Sequence, residues 1–330
     1  MLSGVLWGTH GGQICPLTDS QSGEIGEAAP LDRLGDSQAA RFVIHFRQTT
    51  KDIFSHMQRP DGLPDYTDPP LVEVVLGLQF DQIKGLKSVH YGPIHQTFVA
   101  NYPILEEKPT LAPAFEVPNV FGEPRPLTIQ HRPFELPRLW MLSQDESRLI
   151  QFQGDRFIMN WRKRNGDHQY PRYEAIREEF RGAFAAMSKS LEALELAAVV
   201  PNQVEVTYVN IISLPDEEDV LCNPERAISI LNEDEWNDPD KQKEDTSFSI
   251  RDGLSWGNGT WAGRMTVQAQ PVQGPKGERA IQLSIMVRGK PLERNLESAM
   301  EFMDWARKKI VNRFTSVTTD RMHKIWGRKI

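Results

Sequence analysis

Between Arg148 and Leu196 the apolar pattern switches from the alternation of a strand to the spacing of a helix. RLIQFQ (148–153) reads as a strand, Gly154-Asp155 as a two-residue hairpin turn, and RFIMNW (156–161) as the returning strand. In that strand Phe157, Met159 and Trp161 alternate with Arg156, Ile158 and Asn160. A helix then runs from about Tyr173 to Leu196, with Ile176, Phe180, Phe184, Met187, Leu191 and Leu194 on one stripe. A hairpin with one apolar face beside a helix with one apolar stripe requires the two to pack together, as in an α+β fold.

The same units recur. LVEVVLGLQF (71–80) places Val72, Val74, Leu76, Leu78 and Phe80 on one face, and PNQVEVTYVNIIS (201–213) does likewise with Val204, Val206, Tyr208, Asn210 and Ile212. RMTVQAQPV (264–272) and RAIQLSIMVRG (279–289) read as an antiparallel pair. A second long stripe follows from Leu296: Met300, Met303, Ile310, Phe314 and Val317, with Ala306 filling the gap. Thr318 or Thr319 is placed to cap a last short helix in which Met322, Ile325 and Trp326 pack back. A short helix with Pro93 near its start and Ile94, Phe98 and Tyr102 on its stripe follows the first strand. The expected fold is therefore a largely antiparallel sheet built from two pseudo-repeats, each strand–helix–strands–long helix, with the long helices on one face and a wet polar face opposite. The halves are 71–200 and 201–330 of one domain, after an entry loop at 57–70.

Residues 1–56 lack sustained periodicity, and Met57 is the expected start of the protein proper, the preceding stretch being a disordered extension or a start-site artefact. Residues 103–138 carry prolines at 103, 109, 113, 118, 124, 126, 133 and 137, which forbids long helix and central strand. A surface-wrapping connection is expected there, with one edge strand at LTIQH. Residues 216–245 hold twelve acidic and three basic residues and read as a solvated loop around a short helix near Ala227–Leu231.

Little in the chain points to chemistry. Two cysteines, Cys15 and Cys222, make neither a disulfide framework nor a zinc site, and the reducing cytoplasm is the simplest compartment. The phosphate-loop, dinucleotide and nucleophile-elbow motifs are missing, and the eight histidines are scattered without metal spacing; neither metal nor cofactor is expected. His323 reads as a packing or capping histidine. No apolar run reaches the ~18 residues of a membrane span. A net charge of −7 gives the molecule no general attraction for nucleic acid.

Glu73 and Glu205 occupy equivalent places in the two halves. Paired carboxylates serve acid/base work or hold a cation; ordinary strand glutamates partnered by Arg156 or Arg264 leave the same trace. The polar face as a whole is more suggestive. It collects Arg156, Asn160, Arg264, Gln268, Gln282 and Arg288, with Gln79, Gln151 and Gln153. An amide-rich, mixed-charge face with few aromatics suits a protein partner better than RNA or DNA. A non-enzymatic protein-binding protein, in concrete form a toxin-neutralising (toxin–antitoxin) or defence accessory, is the first expectation, using this face or the C-terminal stretch Met303–Ile330, whose net charge is +6. A nucleic-acid saddle using Arg162, Lys163 and Arg164 is the second, and a hydrolase or transferase using the two glutamates the third.

Four blocks also carry a resemblance: PPLVEVVLGLQF, RLIQFQGDRFIMNWR with YPRYEAIREEF, PNQVEVTYVNII, and FTSVTTDRMHKIWGR. In this order they resemble a sporadically distributed bacterial family of uncharacterised proteins over about residues 65–330. The resemblance implies a bacterial, cytoplasmic protein and brings no activity, cofactor or catalytic residue. Its patchy distribution hints at mobile or defence-linked genes.

Overall fold

A computed structural model describes residues 62–118, 136–164, 169–215, 218–231 and 244–329. Its elements in chain order are β1 (Asp65–Tyr66), β2 (Leu71–Phe80), α1 (Tyr91–Phe98), β3 (Ile104–Lys108), β4 (Arg138–Leu142), β5 (Arg148–Gln153), β6 (Arg156–Arg162) and α2 (Tyr173–Ala193). There follow β7 (Pro201–Ile212), β8 (Phe248–Ser255), β9 (Trp261–Gln273), β10 (Arg279–Gly289), α3 (Leu296–Val317), α4 (Asp320–Ile325) and β11 (Arg328–Lys329). Nine strands form one antiparallel sheet in the order β3-β4-β5-β6-β2-β7-β10-β9-β8, while β1 and β11 pair separately. The fold is α+β, as expected.

Alternation decides which side of the sheet each residue takes. Val74, Leu76, Leu78 and Phe80 of β2 point into the core with Phe157, Met159 and Trp161 of β6 and Val204, Val206, Tyr208 and Ile212 of β7. The stripes of α2 and α3 close that side: Ile176, Phe180, Phe184, Met187 and Leu191 from one helix, Met300, Met303, Ala306, Ile310, Phe314 and Val317 from the other. Phe157 meets the edges of Phe180 and Phe184 at centroid distances of 5.7 Å each. Asn295 caps α3 by accepting from the Ser298 N–H at 2.8 Å, and Thr319 caps α4.

Several expectations change. The pairing of β2 with β7 shifts register between Leu71 and Glu73, so a bulge brings Leu71 into the core in place of Val72. Ile325 is 49% exposed while Met322 and Trp326 pack inward, because one short turn cannot bury three positions. A short strand, β3, lies between Pro103 and Pro109 at the sheet edge, where proline is tolerated. The LTIQH stretch, the first 56 residues and residues 216–217 and 232–243 of the acidic run fall outside the described residues. Where the acidic run is described it holds a single 3-10 turn, Pro224–Arg226, just before the expected helix. The largest change concerns the polar face. It is not wet over β2, β5 and β6, where Glu73, Gln79, Gln151, Gln153 and Asn160 are all less than a tenth exposed.

Candidate functional site

Strand register lines up four polar side chains across the sheet on the side away from the helices. Gln153 stands opposite Arg156, Arg156 opposite Gln79, and Gln79 opposite Gln203. A second row follows one step along the strands: Gly77 opposite Glu205, Glu205 opposite Arg288, and Arg288 opposite Arg264. These rows run perpendicular to the strands over β5, β6, β2, β7, β10 and β9.

Residues 109–118 lie across them as a strap, and the sheet holds the strap by its backbone. The Gln153 side chain accepts from the Leu111 N–H and donates to the Leu111 carbonyl, both at 2.9 Å. Arg156 donates to the Ala112 carbonyl at 3.0 Å and to Gln79 Oε1 at 2.6 Å. The same Gln79 oxygen accepts from the Ala114 N–H at 2.8 Å, and Gln203 Oε1 accepts from the Glu116 N–H at 3.3 Å. Arg264 donates to the Val117 carbonyl at 2.9 Å. One strap side chain joins in: the Glu116 carboxylate accepts from Arg264 Nε at 2.8 Å. An amide side chain offers a donor and an acceptor at one end, so it can take the place of a neighbouring strand. The proline density of this connection suits the arrangement, since an extended strap gains its hydrogen bonds from side chains and needs no regular ladder.

The carboxylates of the face have separate fates. Glu205 is opposite Gly77 while Glu73 is opposite Val209. Four residues separate them along the strands, about 13 Å at the usual rise, so they do not share a proton or a cation. Burial alone would push the Glu205 carboxyl up, but Arg288, which donates to it from Nε at 2.8 Å and from Nη2, brings it below its ordinary value. Glu73 goes the other way. Burial raises its pKa despite a hydrogen bond from Asn160 and the charges of Arg162 and Arg164. It ends a polar chain that crosses four strands. Trp140 and Arg138 donate to Gln151 Oε1 at 3.1 and 2.8 Å, Gln151 donates to Asn160 Oδ1 at 2.8 Å, and Asn160 donates to Glu73 Oε1 at 2.8 Å.

The remaining candidates are placed as follows. Gln268 and Gln282 sit on the same face over β9 and β10, half-buried and beyond the strap's hydrogen bonds; Gln282 is 3.4 Å from Ser284 Oγ. Arg162 is buried and donates to the Glu146 carbonyl, and Arg164 pairs with Glu146. Much of the C-terminal positive charge is paired too: Arg307 with Glu174, Arg313 with Asp252, Arg321 with Glu218. His323 is buried against the Thr318 hydroxyl at 2.8 Å, and burial lowers its pKa. The proline density of 103–138 signalled a surface-wrapping connection, but nothing local marked Glu116 or showed which face the connection covers.

Two recesses stand out among the described residues. One of about 50 Å³ lies on the core side beside Tyr170, Tyr208, Asn210 and Arg307. The other, about 20 Å³, lies on the polar face above Gly77, between Arg156 and Arg288. No group of three or more potential metal ligands occurs among the described residues, and no helix there is long and apolar enough to cross a membrane. The chain matches no protein-family model and no curated protein.

Proposed function

We propose that the protein is a non-enzymatic binding module that holds an extended polypeptide across the polar face of its sheet. One observation carries this reading: side chains from β2, β5, β6, β7 and β9 address main-chain groups of residues 111–117, and any extended polypeptide offers such groups. The recesses of about 50 and 20 Å³ are far below the ~300–1,000 Å³ of small-molecule sites, which favours a surface reading over a metabolite pocket. The separation of Glu73 from Glu205 weighs against a paired-carboxylate hydrolase. The buried position of Arg162 weighs against a nucleic-acid saddle built on that triplet.

The halves 71–200 and 201–330 support the breadth of the face. Each begins with a strand at the sheet centre, crosses to an edge and returns beside its first strand before a long helix, which supports reading β2 with β7, β6 with β10, β5 with β9 and β4 with β8 as repeats, β3 and α1 being additions of the first half. Duplication of one such half gives a single continuous platform. The sequence resemblance, which implies a bacterial cytoplasmic protein and hints at defence-linked genes, supports reading this as an accessory binding role.

A photo-crosslinking residue placed at Gln268 or Gln282 in the native host, at native expression, tests the reading. A discrete protein adduct whose crosslink maps to an extended stretch of the partner is the expected result. Adducts to nucleic acid, or to nothing, would overturn it.

A further inference from the structure

β3 and β4 are direct neighbours, with Lys108 opposite Arg138. A turn of roughly two residues can join such a pair, yet the chain places twenty-nine between Lys108 and Arg138. The first ten form the strap, so the strap is an excursion that the sheet's connectivity does not need. Its attachment is almost wholly polar. None of residues 109–118 belongs to the buried core, and Phe115 and Val117 are 57% and 48% exposed. If the strap lifts away, its hydrogen-bonding groups and those of the sheet return to water together, so neither side is left with a buried orphan.

Charge marks what the face prefers. Beneath the strap lie three arginines, Arg156, Arg264 and Arg288, against two carboxylates, Glu205 and, at the Leu111 end, Asp155. Glu116 is the one charged side chain between Pro109 and Pro118. Its side chain and that of Arg264 are each 10% exposed, and Arg288 Nη1 lies 3.8 Å from its second oxygen. The uncovered face is therefore cationic, and the strap supplies the anion where the arginines converge.

Resting on the polypeptide-binding reading above, we infer that residues 109–118 stand in for a segment of a partner protein. That segment is extended, and it carries an acidic side chain where the strap has Glu116. The partner takes the face by displacing the strap. A tethered strap competes at an effective concentration of about millimolar, so a loose copy of the same sequence binds the intact protein weakly and binds a strap-less face well.

The test uses the full chain with residues 110–117 replaced by a glycine-serine stretch of equal length. The probe is a fluorescently labelled, capped peptide of sequence PTLAPAFEVP, followed by anisotropy. The expected result is binding at least ~10-fold tighter to the replaced chain than to wild type, and loss of ~10-fold or more when the peptide carries Glu116→Lys. Equal binding of the glutamate and lysine peptides would overturn the acidic-partner inference and leave the polypeptide face standing. Failure of the replaced chain, folded by circular dichroism, to bind either peptide would overturn both. Concentration-dependent dimers of wild type in sedimentation would assign the face to a second copy's strap instead and would also overturn the inference. If the replaced chain does not fold, Glu116→Lys in the otherwise intact protein carries the same measurement. It should speed hydrogen exchange at the Leu111, Ala114 and Glu116 amides and open the face to the glutamate peptide; unchanged exchange and unchanged binding would overturn the inference.

Discussion

Gln153 treats Leu111 as a strand would. Its carboxamide oxygen takes the Leu111 N–H and its nitrogen gives to the Leu111 carbonyl, each at 2.9 Å, across forty-two residues of chain. The same nitrogen donates to Asp155 Oδ1 at 2.6 Å, which fixes the amide's orientation.

Gln153→Glu keeps the size of the side chain and removes its donor. It also sets a second carboxylate beside Asp155 and the Leu111 carbonyl. A net loss of about 1–3 kcal/mol is expected for the strap's attachment, read as faster amide exchange through residues 109–118. Exchange there that matches wild type would show that the strap is anchored elsewhere.

Glu73→Gln should be neutral or stabilising at pH 7. Burial raises the Glu73 pKa above its ordinary 4.5. Between 4.5 and the raised value the unfolded chain gives up this proton while the folded chain keeps it, so rising pH removes stability through that window. Glutamine cannot ionise, and its oxygen can still accept from Asn160. Urea midpoints for variant and wild type should agree more closely at pH 4 than at pH 7, with the variant ahead at pH 7. An equal deficit at both values would mean that the carboxylate is needed for packing.

Arg307 is 5% exposed on the core side, 2.9 Å from Glu174 and over the ring of Tyr173. Arg307→Met leaves a buried carboxylate without its cation and should cost about 3–5 kcal/mol. Adding Glu174→Leu removes the stranded charge and should recover most of that loss. A double-mutant cycle by chemical denaturation measures the coupling; additive losses would rule it out.

Gly263 and Gly289 face each other across β9 and β10. A Cβ on Gly263 would lie 2.2 Å from the Arg288 carbonyl oxygen, and one on Gly289 would lie 2.1 Å from that of Ala262. Both neighbours are backbone and cannot rotate away, so either alanine should destabilise by about 1–3 kcal/mol. Gly77 is the control. A Cβ there meets Ile158 and Glu205 at 3.4 and 3.7 Å, ordinary contact, and Gly77→Ala should be within about 0.5 kcal/mol of wild type. Thermal melts of the three variants separate the cases; similar losses in all would refute the close-approach argument.

The core was legible because its signals are local. The stripes of α2 and α3 and the alternation of β2, β6, β7 and β10 each lie within one element, and they place Arg156, Asn160, Arg264 and Arg288 on the polar side. What failed to show depends on distant partners. Whether Glu73 and Glu205 meet is decided by the β2–β7 register, which no property of either strand reveals. β8 has little alternation in FSIRDGLS, and β3 is masked by its flanking prolines. The cover over the face is set by side chains reaching the backbone of an irregular segment, and backbone groups carry no sequence signature.

The middle of the sheet has a consequence for synthesis. Strands β4 to β6 and β8 to β10 pair with sequence neighbours, but β2 joins β7 across the whole first half, Leu78 meeting Val204. Such a distant closure is slow relative to the local hairpins. While the chain is still on the ribosome short of Ile212, the outer edge of β2 has no strand to meet, and its one charged side chain is Glu73. An apolar edge of that kind invites pairing with other nascent chains. The hazard of aggregation therefore falls on the half-made protein rather than the finished one.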